Sequence, residues 1–172
     1  MTDPAHIETL LAKQAISEVV GARYARALDW LDLDELKACF WPDAWVDYGF
    51  FQGDAHEWCD RIMPTEASSV HRFHYMFNIM IVVDGDRAEV ESNGFAGSRR
   101  VADDGEAFQS FHGSRYLDVA ERRDGEWRIS ERRVFLETTQ KFPAPDGPGG
   151  ALVGLELISG LDPDHPRYRR MR

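Results

Sequence analysis

The stretch HRFHYMFNIMIVVDGDRAEV, residues 71–90, has the composition of a long strand, a tight turn and the start of a second strand. Val, Ile, Phe and Tyr suit a pleated surface. Asp-Gly supplies the positive backbone angle that a two-residue hairpin needs. The same turn signal recurs in RRDGEW at Arg122–Trp127, and a looser turn lies at ADDGEA before the strand from Phe108 to Arg122. EWRISERRVFLE is the last main strand. From Ser69 onward the period is therefore two, and long hairpins forming a curved antiparallel sheet are expected.

Upstream the pattern is helical. From about Pro4 to Leu28, apolar residues fall at Ile7, Leu10, Leu11, Ile16, Val19, Val20, Ala27 and Leu28, which predicts one helix with one face on a core. Asp32 is a good N-cap for a second, shorter helix presenting Leu33, Leu36 and Phe40, with Pro42 at its end. A short strand follows around Ala44 to Tyr48, and DAHEWCDRIM forms a third helix. Three helices followed by a bent sheet predict an α+β domain, a cone-shaped barrel in which the sheet wraps around the long first helix. The composition changes after residue 142. KFPAPDGPGG is a linker, and the apolar run ALVGLELI is costly to leave in water. Residues 1–142 are thus expected to form the domain, and residues 143–172 an extension packing over a pocket or a neighbouring subunit.

A length of 172 residues with 43% apolar content suits a single core. The net charge of −10 repels phosphate backbones and anionic lipid, so the expected partner is a small neutral, hydrophobic or aromatic molecule rather than nucleic acid or a membrane. The N-terminus lacks a basic region followed by a long apolar run, and no stretch approaches the roughly 20 apolar residues of a membrane span; a cytoplasmic location is expected. Cys39 and Cys59 fit packed thiols better than a disulfide framework or a metal site.

The first strand carries polar residues that a core does not require. Alternation puts His71, Phe73, Tyr75, Phe77, Ile79 and Ile81 on one face, and Arg72, His74, Met76, Asn78, Met80 and Val82 on the other. His71 and His74 then point apart and cannot chelate one metal ion. His74 and Asn78 share a face with methionines, like the wall of an apolar pocket with a few placed polar groups. An ordinary structural role is open to both: a core histidine bonded to a carbonyl, and an asparagine at a bulge. A second polar cluster, RYARALDWLD, places Tyr24 and Asp29 at the end of the first helix, and Asp32 already serves as the following cap.

GARYARALDWLDLDELKACFWPDAWVDYG, HYMFN, VDGDRAEVES and RYLDVAERRDGEWRISERR together resemble the SnoaL-like branch of the nuclear-transport-factor-two-like superfamily, over about residues 5 to 137. Within it the chain is similar to cofactor-free lyases of the scytalone dehydratase, hexachlorocyclohexane dehydrochlorinase and bile-acid dehydratase types. The resemblance implies that Asp29 pairs with His74, that His74 removes a proton from the substrate, and that Tyr24 is a pocket tyrosine. It further implies no cofactor and a homo-oligomer, a trimer or else a dimer. The arginine that the bile-acid enzyme carries on its last strand has no clear match: Arg132 and Arg133 are shifted in register, and Leu136 has the equivalent spacing.

The chemistry of such a pair stands independently of the resemblance. Histidine titrates near neutrality, and a carboxylate on one ring nitrogen fixes the tautomer and aims the other. Hydroxyl, amide or guanidinium donors stabilise a leaving group or oxyanion. Tyr24, Tyr48, Asn78 and Arg115 are candidates, with Arg115 and Tyr116 as alternatives because only one face of their strand points inward. The expected function is a cofactor-independent lyase, a dehydratase or related elimination enzyme acting on a small hydrophobic or aromatic molecule. Alternatives are an isomerase using the same base, a non-catalytic pocket protein, or a structural subunit like the small β-subunit of a ring-hydroxylating dioxygenase.

Overall fold

The computed structural model describes residues 3–144, 161–166, 168 and 169. The expected long first helix forms, with a change of pitch inside it: α1 (Pro4–Ser17), a π-helical segment (Glu18–Arg23) and α2 (Tyr24–Asp29) follow without a break. Asp3 caps its start by accepting from Ala5 N at 3.1 Å. The helix joins the core only from Ala12 onward; Ile7, Leu10 and Leu11, expected to be buried, stay exposed. The wider turn of the π segment passes close to the sheet at Gly21, where a Cβ would meet Ile79 Cδ1 at 2.9 Å. Alanine there would require the end of the Ile79 side chain to move.

Asp32 caps α3 (Leu33–Ala38) by accepting from Glu35 N at 3.0 Å, and Asp54 caps α4 (Ala55–Ala67) by accepting from Glu57 N at 2.8 Å. The strands are β1 (Phe40–Asp47), β2 (Gln52–Asp54), β3 (His71–Asp84), β4 (Arg87–Val101), β5 (Ala107–Arg123) and β6 (Glu126–Pro143). They form a single sheet in the order β2-β1-β6-β5-β4-β3. The expectation of a purely antiparallel sheet requires one correction, because β1 pairs with β6 in parallel. The chain leaves β1 for α4 and the far edge of the sheet, and returns beside β1 only as its last strand, so no hairpin links the two. Both sharp turns form as expected, with Gly85, Asp124 and Gly125 at positive φ.

Helices and sheet close on a core containing Ile16, Val20, Leu36, Phe40, Trp58 and Ile129. Set into it is the buried pair Arg132–Asp118, in which Nε and Nη2 donate to the two carboxylate oxygens at 2.8 and 2.7 Å. Neither side chain is exposed to solvent. Burial disfavours the Arg132 charge, but attraction and hydrogen bonding to Asp118 outweigh it and raise the guanidinium pKa. On the outer face Phe95 stacks on Phe111 with centroids 5.7 Å apart, and Phe73, Tyr75 and Phe142 extend the cluster. After Pro143 the chain leaves the sheet. The apolar run at residues 151–158 lies outside the described residues; of those that follow, Leu161 meets Arg72 on β3, and His165, Tyr168 and Arg169 pack beside the end of α2.

Breaking a fully buried ion pair strands a charge. Asp118→Ala is expected to cost about 3–5 kcal/mol in urea unfolding, with most of it recovered when Arg132→Met is added.

Candidate active site

β3 lies at an edge of the sheet, so part of its backbone has no strand partner. The last residue of α2 occupies that edge. Asp29 accepts from His74 N through Oδ2 at 3.3 Å, and its Oδ1 lies 2.8 Å from His74 Nδ1. Both oxygens hold one residue, and the His74 ring is fixed with Nε2 left over. Its side chain is 13% exposed and that of Asp29 21%.

His74 lines a cavity of about 380 Å³ between the helices and the concave face of the sheet. Apolar groups dominate the wall, among them Leu28, Phe50, Trp58, Ile62 and Val134. Tyr24, Tyr48 and Tyr116 line it as well. The Tyr24 and Tyr48 hydroxyls hydrogen-bond at 3.0 Å, and Tyr48 stacks on Trp58 at 4.3 Å. Burial pushes all three phenols up, so they are neutral donors at ordinary pH. Gly94 lets Tyr116 lie across β4: a Cβ there would be 2.6 Å from the tyrosine ring. Arg132 lies beneath, its Cζ 4.2 Å from the Tyr24 ring centroid and 4.8 Å from that of Tyr116; its Nη1 has no hydrogen-bond partner among the described residues. Leu136 lines the cavity from β6. A larger groove of about 540 Å³ runs along α1 and β3 on the outer side of Asp29.

Two expected residues lie elsewhere. A bulge interrupts β3 between Phe77 and Met80, and Asn78 occupies it at φ 51°. Alternation reverses there, so Ile81 is buried and Met80 exposed, opposite to the sequence expectation. Asn78 faces solvent and donates to Asn93 Oδ1 at 3.3 Å. Arg115 lies on the outer face between Glu137, at 2.8 Å, and Glu91, while Tyr116 points inward. Among the described residues no three His, Cys, Asp or Glu side chains form a metal-binding group.

One cavity residue was not anticipated. His74 on β3 pairs with Ala96 on β4, which pairs with His112 on β5. Two strand spacings separate the histidine backbones by about 10 Å, and the small Ala96 leaves space between the rings. His112 lines the same cavity, with Nδ1 2.8 Å from Thr139 Oγ1. Burial, then Arg100, lowers its pKa. The signal in the sequence is the parity of His112, Ser114 and Tyr116 along one strand.

A SnoaL-like domain model matches residues 8–133, most of the chain. The chain belongs to the SnoaL-like domain family. None of the curated proteins compared with it matches. Solved structures share the fold. A type 3 hexachlorocyclohexane dehydrochlorinase from Novosphingobium barchaimii superposes with a TM-score of 0.71 at 16% identity, over 84% of this chain and 99% of its own. A protein provisionally named scytalone dehydratase, from Novosphingobium aromaticivorans, gives 0.68 at 22%, over 83% and 97%. A protein of cystatin-like fold from Nostoc punctiforme gives 0.60 at 19%, over 74% and 92%. Among the described residues of this SnoaL-like chain, no helix is long and apolar enough to cross a membrane.

The lowered pKa values of His112 and of His71, each due first to burial, have a consequence for folding. As pH falls below the unfolded histidine value of about 6.5, the unfolded chain takes up protons that these folded side chains resist, so acid favours unfolding. Urea unfolding between about pH 6.5 and about pH 5 is expected to show stability falling with pH, and His112→Gln to flatten that slope.

Proposed function

We propose that this chain is a cofactor-independent lyase that eliminates water or a comparable leaving group from a small hydrophobic or aromatic molecule. The observation that carries the reading is the Asp29–His74 hydrogen bond on the wall of an apolar cavity. In the reaction, Nδ1 of His74 donates to Asp29, and Nε2 takes a proton from carbon. Asp29 stabilises the imidazolium that forms. Of the hydrogen-bonded Tyr24 and Tyr48, the one that accepts from the other donates its own hydroxyl to an oxygen that gains negative charge, and Tyr116 shapes the same wall.

His112 favours elimination over isomerisation. When Thr139 donates to its Nδ1, the neutral ring carries a proton on Nε2, which can donate a hydrogen bond to a departing oxygen while the ring stays neutral. Base and hydrogen-bond donor then face one cavity from strands two apart. The fold of the relatives named as a dehydrochlorinase and a scytalone dehydratase supports the same class.

The test is incubation with a panel of small aromatic and alicyclic hydroxy-ketones, followed by product mass. Loss of water is expected, whereas an unchanged mass with a moved double bond would indicate the isomerase. His74→Ala is expected to abolish turnover and Asp29→Asn to lower it by about 10²–10⁴-fold. Turnover unaffected by His74→Ala would sink the assignment.

We also propose that a second copy covers the outer aromatic face. Tyr75, Phe95 and Phe142 in it are exposed, and aromatic surface gathered in one patch is costly to leave in water. Light scattering is expected to give three times the chain mass of 19.7 kDa, or else twice, and Phe95→Asp to return it to one.

A further inference from the structure

Arg72 stands two residues before His74 on the same inward face of β3 and is 4% exposed. Its guanidinium makes three hydrogen bonds, each to a backbone carbonyl: Nε to Leu28 O at 3.2 Å, Nη1 to Glu66 O at 3.1 Å and Nη2 to Leu161 O at 3.0 Å. The first two carbonyls belong to the last turns of α2 and α4, and each also accepts a backbone N–H, Leu28 O from Leu31 at 3.3 Å and Glu66 O from Ser69 at 3.0 Å, so Arg72 occupies the second acceptor position of each. The third belongs to the C-terminal segment. Burial lowers the Arg72 pKa, while the carboxylates of Glu66, Asp29 and Asp162 favour its charge. A buried guanidinium with no hydrogen-bonded carboxylate is a costly way merely to fill space.

Every carbonyl it holds bears on the site. Leu28 directly precedes Asp29, and Glu66 lines the cavity. The segment that contributes Leu161 also grips the residues after Asp29. Tyr168 donates its hydroxyl to Asp32, whose other oxygen caps α3. His165 and Tyr168 pack on Trp30 with ring centroids 5.7 and 5.5 Å away, and Arg26 donates to Arg169 O. The turn carrying Asp29 is thus held from both sides, by Arg72 before it and by residues 161–169 after it.

We propose that Arg72 is a positioning residue for the Asp29–His74 pair, and that through Arg72 and Asp32 the C-terminal segment 161–169 fixes the position of the Asp29 carboxylate. This rests on the reading of His74 as the base; Arg72 itself touches no substrate. A carboxylate set 2.8 Å from a ring nitrogen loses that bond if its turn shifts by about 1 Å, a displacement large enough to cost catalysis severely.

The experiment follows the Nδ1 proton of His74 by NMR in protein labelled with ¹⁵N-histidine, using His74→Ala for assignment. It compares wild type, Arg72→Met, Arg72→Lys, Tyr168→Phe and a chain ending at Gly160. The expected result is solvent exchange of that proton raised roughly tenfold or more in Arg72→Met and in the shortened chain, the scale of one lost hydrogen bond. Arg72→Lys, which keeps the charge, is expected to restore part of the protection. If the shortened chain does not fold, Tyr168→Phe decides, with faster exchange of the same proton expected. Wild-type exchange in Arg72→Met and Tyr168→Phe would overturn the proposal. The readout needs no turnover. A protected proton in a protein without activity would refute the base and leave the clamp standing; unchanged exchange in the variants would refute only the clamp.

Discussion

The two-oxygen grip of Asp29 on His74 is the constraint on which the site depends. An edge strand leaves N–H groups that need an acceptor, and a carboxylate at a helix end is a strong one. By accepting from the backbone with one oxygen and meeting the ring with the other, Asp29 sets the position of the strand and the rotation of the imidazole together. This requires the helix to end where it does. The π segment and Gly21 bring the helix close against β3, and Arg72 holds the carbonyl of Leu28 next to the carboxylate.

A second polar layer lies deeper. Arg132 and Asp118 form a pair whose charges nearly cancel, with the cationic end under the Tyr24 and Tyr116 rings. Apolar side chains of similar volume would fill this space at less electrostatic cost. What the pair supplies is a fixed positive end beneath hydroxyls that burial keeps protonated. In the proposed reaction those hydroxyls meet developing negative charge, and a preorganised donor set is worth more there than in water.

Features set by local chemistry were legible in the sequence. The turns at Asp84–Arg87 and Arg123–Glu126, the cap at Asp32 and the succession of helices all follow from side chains acting on their own backbone. The proximity of Asp29 and His74 was legible only through family resemblance, since 45 residues separate them. The sites of failure are the points where one residue changes a register. Counting back from the Gly85 turn would pair His74 with the outward Gly97; the bulge at Asn78 pairs it with Ala96 instead, which aligns His74 with His112. The sequence leaves Arg115 and Tyr116 equivalent by alternation. Only the packing of Tyr116 over Gly94 settles which points inward. The parallel β1–β6 pair and the triple carbonyl contact of Arg72 are long-range outcomes that no local signal encodes.

Transfer of a proton from carbon to His74 is the central claim, and isotope exchange tests it without knowledge of the leaving group. 2-Tetralone, an aromatic ketone with acidic hydrogens beside its carbonyl, can be incubated in D₂O with wild-type protein and with His74→Ala, and deuterium uptake followed by mass spectrometry. Wild-type protein is predicted to accelerate uptake above the buffer rate, and His74→Ala to leave it at the buffer rate. Equal acceleration by both proteins would contradict the assignment of His74 as the base.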